Sequence, residues 1–388
     1  MTSKSNQSDA RSPDFVVFSD DWGEHPSSCQ HIFRHIAKNH RVLWVNTIGM
    51  RNPTFSWADA RKVVVKGSKM FRRRREAAAT GNDHHVTVCQ PFMLPGTDSR
   101  MVRAFNARSV TGKVRARLDQ LDMRDPVVVA TVPNASEYPE LLRGRKVIYY
   151  CVDDFSLWPG LEADVVRNME ANLIERANSI IAVSDTLYRR LAKSGKPTRL
   201  LTHGVDLEMF STPVESELPL LNEIPKPRVG FFGLIDGRMD WELIVSLAQQ
   251  MPDTAFVLAG PVDASARQLP QIANVHVVGA VRYAELPQLI AGLDVLILPY
   301  RAGPLAAALS PLKLKEYLAT GKPVISAPIE AAAEWADTLT IACTPDEWVE
   351  CTRRALGNGV QGARQIPARL AAQSWIRKAH ELLSLCRQ

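Results

Sequence analysis

The 388-residue chain has no uninterrupted apolar run of about 18 residues, the length that a helix needs to span a bilayer. Its six cysteines, at positions 29, 89, 151, 343, 351 and 386, never form a Cys-x-x-Cys pair. That spacing argues against a zinc site and a disulfide framework, and it favours small thiols in the core. Residues 1–13 are polar and lack the apolar core of a signal peptide, so we expect a disordered tail on a cytoplasmic protein.

Acidic residues are scarce in residues 61–117, which we call the basic segment. It holds 14 lysines and arginines but three carboxylates, an excess of 11 positive charges, whereas the whole chain has a net charge of +6. Phe71 and Phe105 lie among these charges, a combination that suits an anionic membrane surface. A solvated loop and a nucleic-acid site are the alternatives, and no nucleic-acid motif accompanies the segment.

Hydrophobic runs separated by helical stretches indicate parallel sheets and an α/β fold. In the first half we predict strands at residues 14–19, 41–46, 127–132, 146–152 and 179–184, with helices around 31–37 and 163–177. The Pro- and Glu-rich segment 211–227 is typical of a linker, and a second domain is expected from Arg228. The length of the chain suits two domains.

The stretch SPLKLKEYLATGKPVIS, residues 310–326, has the strongest indication of a ligand site. Ser310 can cap a helix, Pro311 suits its first position, and Gly321 with Pro323 can end it, so we expect a helix at 311–320. Hydrophobic runs at 293–300 and 324–326 predict buried strands on either side. In such a unit the helix N-terminus lies at the carboxyl end of the strands, where it favours an anion.

Two charged residues of this helix fit a phosphorylated sugar or a nucleotide. Lys313 lies in the first turn and adds a positive charge, and Glu316 lies one turn later, where it can accept hydrogen bonds from sugar hydroxyls. The alternative is a surface lysine and glutamate on an ordinary helix.

Tyr300 and the 310–324 motif resemble the donor-binding signature of nucleotide-sugar glycosyltransferases of the GT-B architecture. The resemblance is closest to bacterial transferases of the teichuronic-acid type (family 4-like) and, more distantly, to the xanthan glucuronosyltransferase. It extends over HGVD at 203–206 with Phe210, and over residues 228–240, 256–261 and 275–280. It implies two Rossmann-like domains with parallel sheets that face a central cleft.

The resemblance also implies a domain division. Residues 14–210 would form the acceptor domain, 211–227 the linker, 228–366 the nucleotide-sugar domain, and 367–388 a helix that crosses back to the first domain. The residues that it implies for donor binding are Arg238, Gly260, Arg282, Tyr300, Ser310, Leu312, Lys313 and Glu316.

Five further residues are expected to line the cleft: Gly23, His25, Ser27, Ser28 and His203. Each has an ordinary alternative, because glycine and serine suit any tight strand-to-helix turn and a histidine can be a polar loop residue. Arg238 is a plausible diphosphate clamp, since a guanidinium offers paired donors, and its alternative is a solvated arginine.

Adjacent carboxylates, Asp153 and Asp154, directly follow the predicted strand at 146–152. A carboxylate there can take the proton of an attacking hydroxyl, whereas the alternative is a helix cap. By resemblance the pair matches the one that includes the catalytic base of the inverting xanthan-type enzyme, and either aspartate can be that base. Many retaining relatives carry a histidine in this region.

A second departure from the retaining pattern concerns the donor sugar. Retaining relatives usually have two glutamates eight positions apart, but Ala308 stands eight positions before Glu316. The stereochemical outcome therefore stays open.

The sequence thus predicts a glycosyltransferase that moves a sugar, by resemblance from a uridine diphosphate (UDP) donor, to a hydroxyl of a lipid-linked glycan or cell-surface polysaccharide precursor. We expect no metal or other cofactor, no nucleic-acid partner, and a location on the inner face of the cell membrane. A nucleotide-sugar epimerase of the same fold and a non-catalytic binder of sugar nucleotides or polyanions are the alternative functions.

Overall fold

The computed structural model describes residues 13–23, 27–47, 85–94, 99–158, 161–263, 271–301, 312–357 and 366–387. Contacts divide the chain into unit 1, Met1–Leu201 with Ala379–Gln388, and unit 2, Thr202–Lys378. Each unit is built on a parallel sheet, so the predicted α/β class with two Rossmann-like sheets is confirmed. None of the described helices is long and apolar enough to cross a membrane.

Unit 1 has a sheet of order β3-β2-β1-β4-β5-β6-β7. Its strands are β1 Phe15–Ser19, β2 Val42–Asn46, β3 Val86–Cys89, β4 Val127–Ala130, β5 Val147–Cys151, β6 Ser179–Ala182 and β7 Thr198–Leu200. Its helices are α1 Ser28–Ile36, α2 Arg100–Gln120, α3 Pro139–Leu142, α4 Ala163–Arg176 and α5 Asp185–Ala192. The inner strands are buried on both faces, which is why they are continuous apolar runs.

Unit 2 has a sheet of order β10-β9-β8-β11-β12-β13. Its strands are β8 Arg228–Phe232, β9 Ala255–Ala259, β10 Val275–Gly279, β11 Val295–Leu298, β12 Val324–Ser326 and β13 Thr340–Ile341. The helices are α6 Leu207–Ser211, α7 Trp241–Gln250, α8 Leu286–Ala291, α9 Leu312–Ala319, α10 Glu330–Ala333 and α11 Pro345–Gly357. A last helix, α12 Trp375–Arg387, begins in unit 2 and ends in unit 1.

Each sheet reverses its strand order once, and this reversal positions the candidate sites. The reversal lies between β1 and β4 in unit 1 and between β8 and β11 in unit 2. Loops at such a point leave in opposite directions and open a crevice beyond the carboxyl ends of the strands.

The last helix starts later than the sequence predicts. Residues 368–373 form a 3₁₀ helix and the α-helix begins at Trp375, not at Pro367. The indole of Trp375 covers Gly204, where an added Cβ would come within 2.4 Å of the ring. Tertiary packing therefore fixes this helix start, and helix propensity alone does not reveal it.

The segment 211–227, predicted to be a linker, is packed into unit 2. Leu218, Leu221 and Ile224 belong to its core. The buried guanidinium of Arg228 donates to the carbonyl oxygens of Leu221 and Ile224. Proline-rich composition shows that the backbone is irregular, but it does not show whether its leucines are buried.

Candidate active site

The reversal point of unit 2 brings Lys313 to the end of β8. Lys313 lies in the first turn of α9, and its stem crosses Gly233, the residue that follows β8. An added Cβ on Gly233 would lie 1.4 Å from Lys313 Cε. Lys313 Nζ lies 5.9 Å from the ring centroid of Phe231. The structure therefore places a cation at the carboxyl ends of the central strands, where the sequence predicts an anion site.

A second glycine keeps the backbone beneath this cation compact. An added Cβ on Gly260 would lie 1.7 Å from the carbonyl oxygen of Gly233. The N–H of Gly233 donates to the oxygen of Ala259, 2.8 Å away, and the N–H of Gly260 donates to that of Gly279, 2.7 Å away. The ends of β8, β9 and β10 thus form one hydrogen-bonded edge that only glycine permits at these two positions.

Glu316 lies one turn after Lys313 and is buried, with 6% of its surface exposed. Burial raises the pKa of Glu316 to about 7; Asp206 adds to this shift and Lys313 opposes it. No hydrogen bond to its carboxylate is found among the described residues. A buried carboxylate with spare acceptor capacity suits a ligand that carries hydroxyl groups.

The two charged residues are held in place because α9 is fixed on both sides. The hydroxyl of Tyr317 accepts from Phe232 N–H at 2.8 Å and donates to Phe232 O at 3.1 Å. Buried Lys315 donates to Thr202 Oγ1, to His203 O at 2.6 Å and to Gln373 Oε1. This role of Lys315 is not evident from the sequence. Lys315 stands in a run of alternating leucines and lysines, in which lysines are expected to face solvent.

Three other residues that were predicted to bind the donor substrate already have partners within unit 2. Arg238 Nε contacts both carboxylate oxygens of Asp236 at 2.9 Å. Tyr300 is 4% exposed and packs edge-on against Phe231, so its ring belongs to the core. Arg282 is exposed and pairs with Glu285. The structure therefore groups Lys313, Glu316 and Gly260, with Leu312 at the start of α9, and gives Arg238, Tyr300 and Arg282 other partners.

In unit 1, Asp153 and Asp154 follow β5 as predicted, and their surroundings differ. Asp154 Oδ1 accepts from the N–H and the hydroxyl of Ser156, and Asp154 Oδ2 lies 3.6 Å from Arg190 Nε. Asp154 thus caps the 3₁₀ helix at 155–157, which was the structural alternative for the pair. Asp153 Oδ1 accepts from the N–H of Asp154, and Asp153 Oδ2 accepts from the indole of Trp158 at 3.0 Å.

Arg190, which pairs with Asp154, also belongs to a partly buried ionic cluster. The guanidinium of Arg190 holds both carboxylate oxygens of Glu170, at 2.5 and 3.0 Å, and the hydroxyl of Tyr149 donates to Glu170 at 2.7 Å. This cluster connects α4 and α5 to β5 and fixes the loop that carries the two aspartates. It was not foreseen, because its members are 21 and 20 positions apart in the chain.

The described residues on either side of the predicted cleft loop of unit 1 are held by hydrogen bonds. Gly23 has a φ of +85° and donates to Gln30 Oε1 at 3.0 Å, while the side chain of Ser27 caps α1. Ser28 is buried. His203, of unit 2, is 6% exposed and contributes its carbonyl oxygen to Lys315.

Several predicted features lie outside the described residues: His25, Ser310, Pro311 and residues 61–84 of the basic segment. Within the described part of the chain, no cluster of three or more histidine, cysteine, aspartate or glutamate side chains is placed to hold a metal ion.

Comparisons with known proteins agree with this geometry. Residues 227–358, which contain Gly233, Gly260, Lys313 and Glu316, match the family described as Glycosyl transferases group 1. TuaH of Bacillus subtilis strain 168, whose name is that of a teichuronic acid biosynthesis glycosyltransferase, is 28% identical over 271 residues, or 63% of this chain and 68% of TuaH. The chain is a GT-B glycosyltransferase. The predicted resemblance to the teichuronic-acid type is thereby confirmed.

The match to solved structures extends over 97% of this chain. Sucrose-phosphate synthase from Thermosynechococcus elongatus superposes with a TM-score of 0.71 at 16% identity, covering 97% of this chain and 98% of that one. Anabaena HepE, solved in complex with UDP and glucose, superposes with a TM-score of 0.65 at 16% identity, covering 97% of this chain and 100% of that one. At these identities the likeness concerns the fold.

Proposed function

We propose that this glycosyltransferase moves a sugar from a UDP-sugar to a hydroxyl of a lipid-linked glycan or cell-surface polysaccharide precursor. The observation that carries the proposal is Lys313 above Gly233 at the reversal point of unit 2, with buried Glu316 one turn later. Anabaena HepE binds UDP and glucose on the same fold, which supports the choice of donor. The name of TuaH supports a polysaccharide acceptor.

In this proposal Lys313 stabilises the negative charge that grows on the diphosphate as the sugar leaves. A fixed cation in a preorganised site contributes most when it meets charge that develops in the transition state. Glu316 accepts hydrogen bonds from hydroxyl groups of the donor. Lys313 and the start of α9 supply positive charge that a divalent ion would otherwise supply, so we propose a metal-independent reaction.

The acceptor proton goes to the aspartate pair of unit 1. Both carboxylates accept hydrogen bonds, but Asp154 is also ion-paired with Arg190, whereas the donors to Asp153 are the N–H of Asp154 and the indole of Trp158, so we assign this role to Asp153. A carboxylate base takes the proton as the hydroxyl oxygen attacks the anomeric carbon.

We further propose that the basic segment docks on the anionic inner face of the cell membrane. In its described part, Met101 and Phe105 are 83% and 44% exposed on α2, and Phe92 is 68% exposed. The rings of Phe92 and Phe105 meet edge-to-face at 6.1 Å. Exposed Arg108 lies on the same side of the helix, three positions after Phe105. An apolar cluster with adjacent cations suits the headgroup region of a bilayer.

The donor is tested by screening nucleotide sugars for thermal stabilisation, since a ligand at 100 times its dissociation constant adds about 2.7 kcal/mol. A UDP-sugar should stabilise the wild type and should stabilise a Lys313→Met variant less. Release of UDP only when an acceptor is added supports transfer. Conversion of the donor without release of UDP would instead indicate an epimerase, and binding with neither reaction would indicate a non-catalytic protein.

Membrane docking is tested with a Met101→Ser/Phe105→Ser variant and vesicles that contain phosphatidylglycerol. The variant should sediment less with these vesicles than the wild type does. Leu220→Ser/Ile376→Ser removes two other exposed apolar side chains, 40% and 49% exposed, and should sediment like the wild type. Equal sedimentation of all three proteins would refute docking through α2.

A further inference from the structure

A cavity in unit 1 lies at the amino ends of the strands, opposite the end that carries the aspartate pair. It has a volume of about 830 Å³, and its walls come from the segments that lead into β5, β6 and β7, with Leu385 of α12. Asp153 and Asp154 follow the carboxyl end of β5, whereas this cavity lies at its amino end. The five residues of β5 separate the two places by roughly 16 Å at the usual rise of a strand.

The cavity is lined by cations and by no carboxylate. The charged lining residues are Arg143, Arg145, Lys146, Arg176 and Arg199. No ion pair joins any of the five to a carboxylate of a described residue. Arg145 Nη1 and Lys146 Nζ instead donate to the carbonyl oxygens of Leu141 and Cys386. Positive side chains around a concave surface focus the potential, so this edge of the sheet attracts anions.

The apolar lining residues offer little surface to a ligand. Leu142 and Ile180 are 3% and 0% exposed, so they lie behind the cations and belong to the core. The exposed charged residues of the lining are Arg143, Arg176 and Arg199.

We propose that this cavity binds a phosphate or diphosphate group. Guanidinium groups present paired N–H donors that match the oxygens of phosphate, and the lining holds four of them. The headgroup of an anionic lipid and a soluble phosphate compound share this chemistry. None of its lining residues is Lys313, Glu316, Asp153 or Asp154.

The first experiment titrates inorganic pyrophosphate into the full-length protein by calorimetry. All variants carry Lys313→Met, because Lys313 itself offers an anion site. Adding Arg176→Gln and Arg199→Gln removes two exposed cations of the cavity and should weaken pyrophosphate binding about tenfold or more. Adding Lys38→Gln and Lys193→Gln instead removes two exposed cations that do not line the cavity, and it should leave binding unchanged.

Equal affinity of the cavity and control variants would overturn the proposal, as would the absence of pyrophosphate binding to the Lys313→Met protein. Melting temperatures check that all variants are folded. Flotation with phosphatidylglycerol vesicles then identifies the source of the phosphate, with Met101→Ser/Phe105→Ser added to every protein so that docking through α2 does not contribute. Loss of flotation in the Arg176→Gln/Arg199→Gln protein supports a lipid headgroup. Unchanged flotation together with weakened pyrophosphate binding supports a soluble phosphate compound.

Discussion

The stem of Lys313 occupies the space in which a side chain on Gly233 would stand. A Cβ built on Gly233 would lie 1.4 Å from Lys313 Cε and 2.4 Å from Lys313 Nζ. The residue at 233 must therefore be glycine for Lys313 to lie across the end of β8. This relationship links a strand-end glycine to the cation that we assign to the leaving diphosphate.

Gly233→Ala should displace Lys313 and so lower turnover. Removal of one preorganised contact lowers turnover by about 10²–10³, and we expect a loss that approaches this range. The φ of Gly233 is +143°, which adds backbone strain. Turnover is measured as UDP release per folded protein. Gly112→Ala is the matched control, since an added Cβ there meets no atom within 4 Å, and it should leave turnover unchanged. Wild-type turnover of Gly233→Ala would contradict the assignment.

Substitutions of Asp153 and Asp154 should have different effects on turnover and on stability. Asp153→Asn should lower turnover by about 10² or more, because an amide cannot take the proton. Asp154→Asn keeps an acceptor for Ser156 and loses the charge that faces Arg190, so it should affect melting temperature more than turnover. A larger loss of turnover in Asp154→Asn than in Asp153→Asn would reverse the assignment. Both measurements are made with saturating donor and acceptor.

Glu316 should make stability depend on pH. The pKa of Glu316 is about 7 in the folded protein, whereas its ordinary value, which we take for the unfolded chain, is 4.5. Between pH 4.5 and 7 the folded state therefore binds more protons than the unfolded state. The free energy of unfolding therefore falls as pH rises from 4.5 to 7, and above pH 7 the full cost of burying the charged carboxylate is present. Glu316→Gln removes a cost of at most about 3 kcal/mol at pH 8 and should change little at pH 4. The check is the difference in melting temperature between variant and wild type at both pH values; a difference that is the same at both would contradict the prediction.

Chelation should leave the reaction intact. Lys313 and the start of α9 provide the positive charge at the diphosphate, so activity should survive an excess of chelator. Turnover is compared before and after dialysis against the chelator. Complete loss that manganese or magnesium restores would show that the charge is supplied by a metal ion.

The sequence was sufficient for the elements that are buried on both faces. β11 and β12 lie in the predicted runs 293–300 and 324–326, and the position of Lys313 and Glu316 on α9 follows from the strand–helix–strand pattern. Helix α2 was not predicted because most of it lies within the basic segment, although Val110, Val114 and Leu118 recur every four residues and are its buried positions.

The remaining features depend on contacts between distant parts of the chain. The guanidinium of Arg238 is paired with Asp236, but the local sequence does not distinguish a paired arginine from a solvated one. Lys315 is buried because Thr202, His203 and Gln373 converge on its ammonium group. The cavity of unit 1 combines the amino ends of three strands with the last helix, so no local motif announces it.

The most direct test of the role of Lys313 is the turnover of Lys313→Met with a UDP-sugar and an acceptor. Methionine keeps an apolar stem across Gly233 and next to Phe231, and it removes the charge, so the fold and melting temperature should be retained. We expect kcat to fall by about 10²–10³, because the cation acts on charge that develops as the sugar leaves. A kcat near that of the wild type would show that Lys313 does not stabilise the leaving diphosphate.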